Sequence, residues 1–310
     1  ALDFGATVVN HATVTGLRKQ GDRVTGAHVD TGTAGGRVDV SARVVVNATG
    51  VWADDVRALD EGTHPDSIRP AKGIHITVPW HKVRNDIAAV VPVPKDRRSV
   101  FVVPWPGTDG TVGGEGSVTY IGTTDTDYDG EVDDPQCTAG DIAYLLGAIN
   151  NSVSEPLDES DVIGTWAGLR PLVSDASSSR TADLSRRHRV LTSHSGMVTV
   201  TGGKLTTYRE MAEDAVGAAI RVIGEPLPRR AGRSRTRTLR LRGADGWDRA
   251  RDTDLHLAER YGGEAGVLAA MIAADPALGE PLVPGLPYRR AEALYAVRYE
   301  MAPTLDDVLS

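Results

Sequence analysis

Lys72-Gly73-Ile74-His75-Ile76 sets one histidine among apolar neighbours in an alternating, strand-like run. Histidine is the side chain whose proton affinity suits proton transfer near neutral pH. The same pattern also describes a histidine that only fills a strand, and on these residues alone that plainer reading leads. Gly168-Leu169-Arg170-Pro171-Leu172 places one arginine in an apolar, proline-stiffened stretch. A guanidinium buried there needs a partner, either an anionic ligand or a structural carboxylate. Arg186-Arg187-His188-Arg189 is a basic cluster just before a strand, which is also the composition of a solvated turn. Gly122-Thr123-Thr124-Asp125-Thr126-Asp127 is a polar turn after a strand, by default an Asx or Ser/Thr turn.

Two glycine-bearing junctions join strands to helices. In TGGKLTTYRE, residues 201–210, a strand-like run ends on Gly202-Gly203 and an amphipathic helix opens with Lys204, Leu205 and Thr206. The first turn of a helix prefers acids. Free backbone N–H groups at a helix start bind anions or oxygen-rich ring edges. Capping accounts for Gly203 and Thr206. Lys204 is harder to place without an outside source of negative charge. The second junction is Val44-Val45-Val46 running into Asn47-Ala48-Thr49-Gly50, with Trp52 just beyond. Small residues let a backbone approach a ligand closely, and ligands of doubly wound sheets sit at the carboxyl ends of strands. Short glycine turns are common, so an ordinary strand-to-helix turn fits as well.

The elements that must position these residues follow from periodicity. Strands are expected over 6–14, 24–29, 37–46, 74–78, 88–91, 100–103, 118–122, 162–166, 190–192 and 197–201. Helices are expected over 52–59 and 138–150. The helix from 204 is expected to carry Leu205, Tyr208, Met211, Ala212, Ala215, Val216, Ala219, Val222 and Ile223 on one buried face. Residues 229–242 hold seven arginines and no acid. They read as a linker that is solvated or internally paired, or as a cationic stretch able to meet anionic lipid. Helices follow over 248–260, 264–274 and 288–301, with a last piece over 305–309. The expected organisation is a mixed α/β domain over 1–228, then linker and a small helical domain over 229–310.

Composition bounds the rest. The chain has 310 residues, 40% hydrophobic and 25% charged, with a net charge of −8. An acidic chain of this kind is not a general nucleic-acid binder, because it repels phosphate backbones. Cys137 is the only cysteine, which excludes an intramolecular disulfide and cysteine-rich zinc sites; no metal is expected. No apolar run reaches the length of a membrane span.

Taken in order, ARVVVNATGVWAD, RPAKGIHITVP, YIGTTDTDY, GTWAGLRPL, DLSRRH and VTGGKLTTYREMAEDAV resemble the FAD-dependent, quinone-linked glycerol-3-phosphate dehydrogenases, which share the D-amino-acid-oxidase-like fold. GTTDTD and GGKLTTYR are the specific parts; NATG alone is common to many flavoproteins. AEALYAVRYEMAPTLDDVL is similar to the family's C-terminal helical domain. The resemblance implies an α/β fold: a partial Rossmann-like FAD sheet, an interleaved antiparallel substrate sheet and an all-α C-terminal domain. It implies FAD beside Ala48, Thr49, Gly50, Trp52, Thr124, Gly202, Gly203, Leu205 and Thr206. It implies glycerol 3-phosphate among His75, Arg170, Arg186 and Lys204, with His75 as the base and Arg170 steadying the oxyanion. Lys204 is then explained by the negative charge of cofactor and substrate. A quinone acceptor, a cytoplasmic enzyme peripheral on the inner face of the membrane, and a homodimer are the family's expectations. The family's G-x-G-x-x-G turn is not found in this chain, so a partial chain that starts after that unit is expected. An oxygen-using oxidase, an amine or amino-acid oxidase of the same fold, and an inactive remnant are the alternatives.

Overall fold

A computed structural model describes the chain except for residues 33–34, 95–97, 109, 174–186, 225–233 and 310. It divides into two compact units, Ala1–Val103 with Thr119–Arg237, and Pro104–Val118 with Thr238–Ser310.

The chain opens on an antiparallel meander of β1 (Thr13–Gln20), β2 (Arg23–Asp30) and β3 (Arg37–Ser41). Gly26 is required where β2 meets β3: its φ is +154°, and a Cβ there would lie 2.0 Å from the Val40 carbonyl oxygen. The strand expected over 6–14 begins only at Thr13. β-Branched residues do not make a strand without a neighbour to pair with, and Val8 and Val9 lie exposed. The expected strand over 37–46 splits into β3 and a short β4 (Val46–Asn47). Then come α1 (Ala53–Glu61), β5 (Ile68–Pro79), α2 (Trp80–Val83), β6 (Ala89–Pro92), β7 (Ser99–Trp105), β8 (Val118–Gly122), β9 (Thr126–Asp127), α3 (Ala139–Ile149) and β10 (Gly164–Val173). β11 (Arg189–Thr192), β12 (Val198–Thr201) and α4 (Tyr208–Ile223) follow.

The central sheet is six-stranded, in the order β10-β5-β8-β7-β6, with β9 pairing on β5. β5 and β10 pair antiparallel without a slip from Gly164↔Thr77 to Val173↔Ile68. Side chains of a strand alternate between faces, so this register sorts the residues. Ile74, Ile76, Val78, Val100, Val102 and Ile121 face α3 and bury against Leu145, Leu146 and Ile149. Each such side chain stabilises the fold by roughly 1.5–3 kcal/mol. His75, Trp166, Gly168 and Arg170 belong to the other face. α3 starts on a capping box, in which Asp141 N–H donates to Thr138 Oγ1 and Thr138 N–H donates to Asp141 Oδ2.

A third sheet, β11-β12-β4, has β12 and β4 parallel. α4 packs on it through Ala218 and Ala219 against Val198, while Ala215 is also buried. The buried stripe is therefore built from alanines, which allow helix and sheet to approach closely. Leu205, Tyr208, Ala212 and Val216, expected on that stripe, are exposed. Asp60 of α1 ties this sheet down, accepting from Ser193 Oγ at 2.8 Å and Ser195 Oγ at 2.6 Å.

The helical unit holds α5 (Trp247–Thr253), α6 (Leu255–Tyr261), α7 (Ala265–Ala274), α8 (Arg290–Tyr299) and α9 (Leu305–Leu309). The single helix expected over 248–260 breaks at Asp254, whose side chain caps α6 by accepting from Leu257 N–H. Leu257, Ala265, Leu268, Ala291 and Tyr295 form its core. Arg240 pairs with Asp245, and Arg242 Nε lies 2.8 Å from Glu264, so these two arginines of the basic run meet acids of their own unit. No helix among the described residues is long and apolar enough to cross a membrane.

Candidate active site

The face of the central sheet turned away from α3 carries His75 and Arg170. His75 on β5 stands opposite Trp166 on β10, and the two rings stack at 4.9 Å, 13° from parallel. Tyr120 of β8 meets Trp166 edge-on at 5.0 Å. Burial lowers the proton affinity of His75 below the ordinary 6.5, and the nearby Arg170 cation lowers it further. Both effects favour the neutral imidazole, the form able to accept a proton.

Arg170 lies two strand steps beyond Gly168 on the same face. Its guanidinium is held as a fork: Nη1 donates to the Thr124 carbonyl at 3.2 Å and Nη2 to Thr123 Oγ1 at 3.1 Å. Asp125 Oδ1 lies 3.4 Å from Nη1. Arg98 Nη1 fixes the same loop by donating to the Asp125 carbonyl at 2.7 Å. Thr124 is only 2% exposed. Its hydroxyl accepts from Ile74 N–H at 3.0 Å and donates to the Lys72 carbonyl at 3.2 Å. What Thr124 offers the site is its carbonyl, through Arg170.

Gly73 and Gly168 are direct partners in the β5–β10 ladder. The Arg170 guanidinium covers Gly73, whereas Gly168 beside it on β10 leaves bare backbone with nothing within 4 Å of where a Cβ would stand. Trp166 and Tyr120 were not among the sequence-based candidates; Thr123, Asp125, Gly73 and Gly168 stood in the stretches singled out but were given no role. The alternation Trp166-x-Gly168-x-Arg170 was the available signal for one edge of the site.

The two glycine junctions sit at the carboxyl ends of the parallel strands β4 and β12. Asn47 organises the first: its Nδ2 donates to the Ala53 carbonyl at 2.9 Å, and its Oδ1 accepts from Thr49 Oγ1 at 2.7 Å. Ala48 and Thr49 lead into Gly50, which turns at φ +63° in open space. Trp52 Nε1 donates to Asp133 at 2.8 Å. At the second junction Gly202 and Gly203 both have positive φ, +71° and +79°. A Cβ at Gly202 would come 3.2 Å from Val173 Cγ2, which brings this turn to the end of β10, close after Arg170. A Cβ at Gly203 would strike Met211 Sδ at 2.5 Å. Lys204 is extended and exposed. A short 3₁₀ turn, Leu205–Thr207, precedes α4, with Thr207 Oγ1 accepting from Lys204 N–H at 3.2 Å. Thr206 is exposed in that turn, and Leu205 is 88% exposed. His75, Arg170 and the Gly202 turn lie within one unit. Arg186 lies outside the described residues; its neighbour Arg187 approaches Gly202 through its carbonyl.

A profile of FAD-dependent oxidoreductases matches residues 1–209, and one for the C-terminal domain of alpha-glycerophosphate oxidase matches residues 234–310. The chain belongs to the FAD-dependent oxidoreductase family. Glycerol-3-phosphate dehydrogenase 2 of Mycobacterium tuberculosis H37Rv is 37% identical over 324 residues, covering 100% of this chain and 52% of that protein. The human mitochondrial glycerol-3-phosphate dehydrogenase is 34% identical over 334 residues, covering 100% of this chain and 44% of its own length. The crystal structure of the Bacillus halodurans glycerol-3-phosphate dehydrogenase complexed with FAD superposes with a TM-score of 0.75 at 28% identity, over 99% of this chain and 60% of that one. The chain therefore spans about half the length of the curated relatives it matches.

The junction geometry fits the flat end of FAD. Gly50 presents backbone with nothing within 4 Å of where a Cβ would stand. Leu205, Trp52 and Trp166 add exposed apolar surface. The residues that would hold the ring system are those of the Ala48–Trp52 and Gly202–Thr206 turns.

Proposed function

We propose that this chain provides the substrate-facing part of a flavoenzyme that oxidises sn-glycerol 3-phosphate to dihydroxyacetone phosphate. The observation that carries this reading is the imidazole of His75 and the forked guanidinium of Arg170 on one face of the sheet, beside the bare backbone of Gly168, on a chain whose full length aligns with glycerol-3-phosphate dehydrogenases.

Bound FAD supplies the two-electron acceptor. His75 takes the proton of the C2 hydroxyl as the C2 hydrogen leaves with its electron pair. Burial keeps the imidazole free to do so. Arg170 faces the same oxygen and stabilises the charge that develops on it; a guanidinium stays protonated and cannot serve as the base. Lys204, with Arg186, holds the phosphate. The acceptor that would reoxidise bound FAD is a quinone.

The names of the curated relatives, dehydrogenases rather than oxidases, support a quinone over oxygen. The oxidase name of the C-terminal match keeps oxygen as the second reading. Anaerobic addition of glycerol 3-phosphate to the FAD-loaded protein should bleach the flavin absorbance. Reoxidation by a soluble quinone should then outpace reoxidation by air. No bleaching would refute the substrate, and faster recovery in air would refute the quinone.

A further inference from the structure

We propose that Gly168 sets the size limit for the ligand lying on the β5–β10 face, making it a specificity-determining residue. The inference rests on the glycerol 3-phosphate reading above and deepens it.

The glycines on this face have different reasons to be glycine. A Cβ at Gly73 would lie 2.7 Å from both terminal nitrogens of Arg170 and from Thr123 Oγ1. A Cβ at Gly122 would lie 2.4 Å from His75 Cδ2 and 2.8 Å from the Ile74 carbonyl oxygen. Both positions are closed by the protein's own packing. Gly168 is not. A Cβ there would meet nothing within 4 Å, and its backbone is not in the left-handed region that glycine favours. It sits mid-strand in β10, in unbroken register with β5.

A glycine inside a strand weakens that strand, and often marks a place where something else approaches the backbone. Nothing in the described protein occupies that place at 168. The side chain that Gly168 lacks would rise between Trp166 and Arg170, on the side where His75 stacks on Trp166. A ligand lying along β10 between Trp166 and Arg170 passes over this strip. Bare backbone therefore leaves room for a short polyol phosphate, and a methyl group would take the volume of about one of its carbon or oxygen atoms.

The test uses the full-length FAD-loaded protein beside its Gly168→Ala and Gly168→Val variants. Four quantities are read: melting temperature, flavin content, the thermal shifts caused by glycerol 3-phosphate and by inorganic phosphate, and steady-state kinetics. Both variants should melt within about 2–4 °C of the parent, since no protein atom is displaced, and should keep their flavin. For Gly168→Ala, kcat/KM for glycerol 3-phosphate should fall by about 10- to 200-fold, the usual discrimination for one carbon's worth of space. Gly168→Val should fall further. The thermal shift by glycerol 3-phosphate should shrink, while that by inorganic phosphate persists. 2-Hydroxyethyl phosphate, which lacks one hydroxymethyl group, should lose less than glycerol 3-phosphate.

Unchanged kcat/KM in both variants would overturn the proposal. So would loss of flavin with substrate binding intact, which would make Gly168 a cofactor contact, or a large drop in melting temperature, which would make it structural. If the parent protein neither binds nor oxidises glycerol 3-phosphate, the substrate reading falls and takes this inference with it. If the parent does both and the variants match it, only the inference falls.

Discussion

The backbone of Gly73 lies directly against the guanidinium of Arg170: a Cβ built at 73 would stand 2.7 Å from each of its terminal nitrogens. The guanidinium is the far end of a flexible side chain, so it can move aside without unfolding the sheet. Moving it breaks the fork onto Thr123 and Thr124. Gly73→Ala should therefore cost little stability and much activity. A displacement of about 1 Å in a positioned group costs on the order of 10²-fold in rate. Melting curves and kcat/KM measured side by side check this, and a variant that loses both equally would contradict it.

His75 predicts the pH profile. Burial, then the Arg170 cation, holds its proton affinity below the ordinary 6.5. The base is the neutral imidazole, so kcat/KM should be flat at neutral pH and fall on the acid side only below 6.5. Arg170→Gln removes one of the two causes. It should lower the rate, yet move that acid limb upward toward the ordinary histidine range. His75→Ala should abolish the limb and lower kcat by roughly 10²- to 10⁴-fold. An acid limb that survives in His75→Ala would clear His75 of the role.

His75 and Arg170 were singled out in the sequence as chemically able residues in apolar strand patterns, and their roles came from the family resemblance. Their partnership was not legible there. It depends on β5 pairing with β10, two strands far apart in the chain, and register between distant strands is a property of the assembled sheet. Trp166 and the Gly73–Gly168 pairing were missed for that reason. Most strands and helices were read correctly, including α3. The segment over 6–12 was misread because strand formation needs a partner. The burial of α4 was misread because its contact stripe is alanine, which carries little hydrophobic signal. The helix break at Asp254 had a local sign, an aspartate just before an apolar run, and was overlooked inside a longer periodic pattern.

Arg170→Lys tests geometry with charge held constant. Arginine satisfies Thr123 and Thr124 with two nitrogens of one rigid plane. A single ammonium cannot copy that fork. Misplacing a positioned group by about 1 Å costs on the order of 10²-fold in rate, so kcat/KM should fall by roughly 10- to 100-fold. Activity within a factor of about two of the parent would show that only the positive charge matters.

In the helical unit, Glu292 is the shared acceptor. It receives Arg289 N–H at 2.7 Å, His256 Nε2 at 2.9 Å, Arg260 Nε at 2.9 Å and Tyr261 OH at 3.2 Å. Burial, then the Glu292 charge, pushes the Tyr261 phenol up to about 12. Glu292→Ala would strand these donors and should destabilise the unit by about 3–5 kcal/mol. In an alkaline titration followed by ultraviolet absorbance, Tyr261→Phe should match the parent up to about pH 11 and differ only above it. A difference near pH 10 would mean that the phenol is not shielded in this way.

Lys72 and Asp141 join the core to the site from below. Lys72, 7% exposed, turns toward α3 and places Nζ 2.7 Å from Asp141 Oδ2 and 3.1 Å from the Gln136 carbonyl. Its own carbonyl accepts the Thr124 hydroxyl, and the next loop residues hold Arg170. Burial pushes the Asp141 carboxyl up, but hydrogen bonds from Lys72 and Thr138 outweigh it, and the net shift is below 3.8. The sign follows: this group's contribution is full above its unfolded value near 3.8 and is lost as pH falls through the lower folded value. Asp141→Asn leaves the lysine charge buried without its counter-ion and should cost about 3–5 kcal/mol. Lys72→Met with Asp141→Leu removes both charges and should recover most of that loss, because well-packed apolar replacements of buried pairs are often neutral. Urea melts at pH 7 and pH 3.5 decide the matter. The single variant should be much weaker than the parent at pH 7, with a smaller gap at pH 3.5. A double variant as unstable as Asp141→Asn would show that the pair contributes more than charge compensation to the packing of α3 on β5.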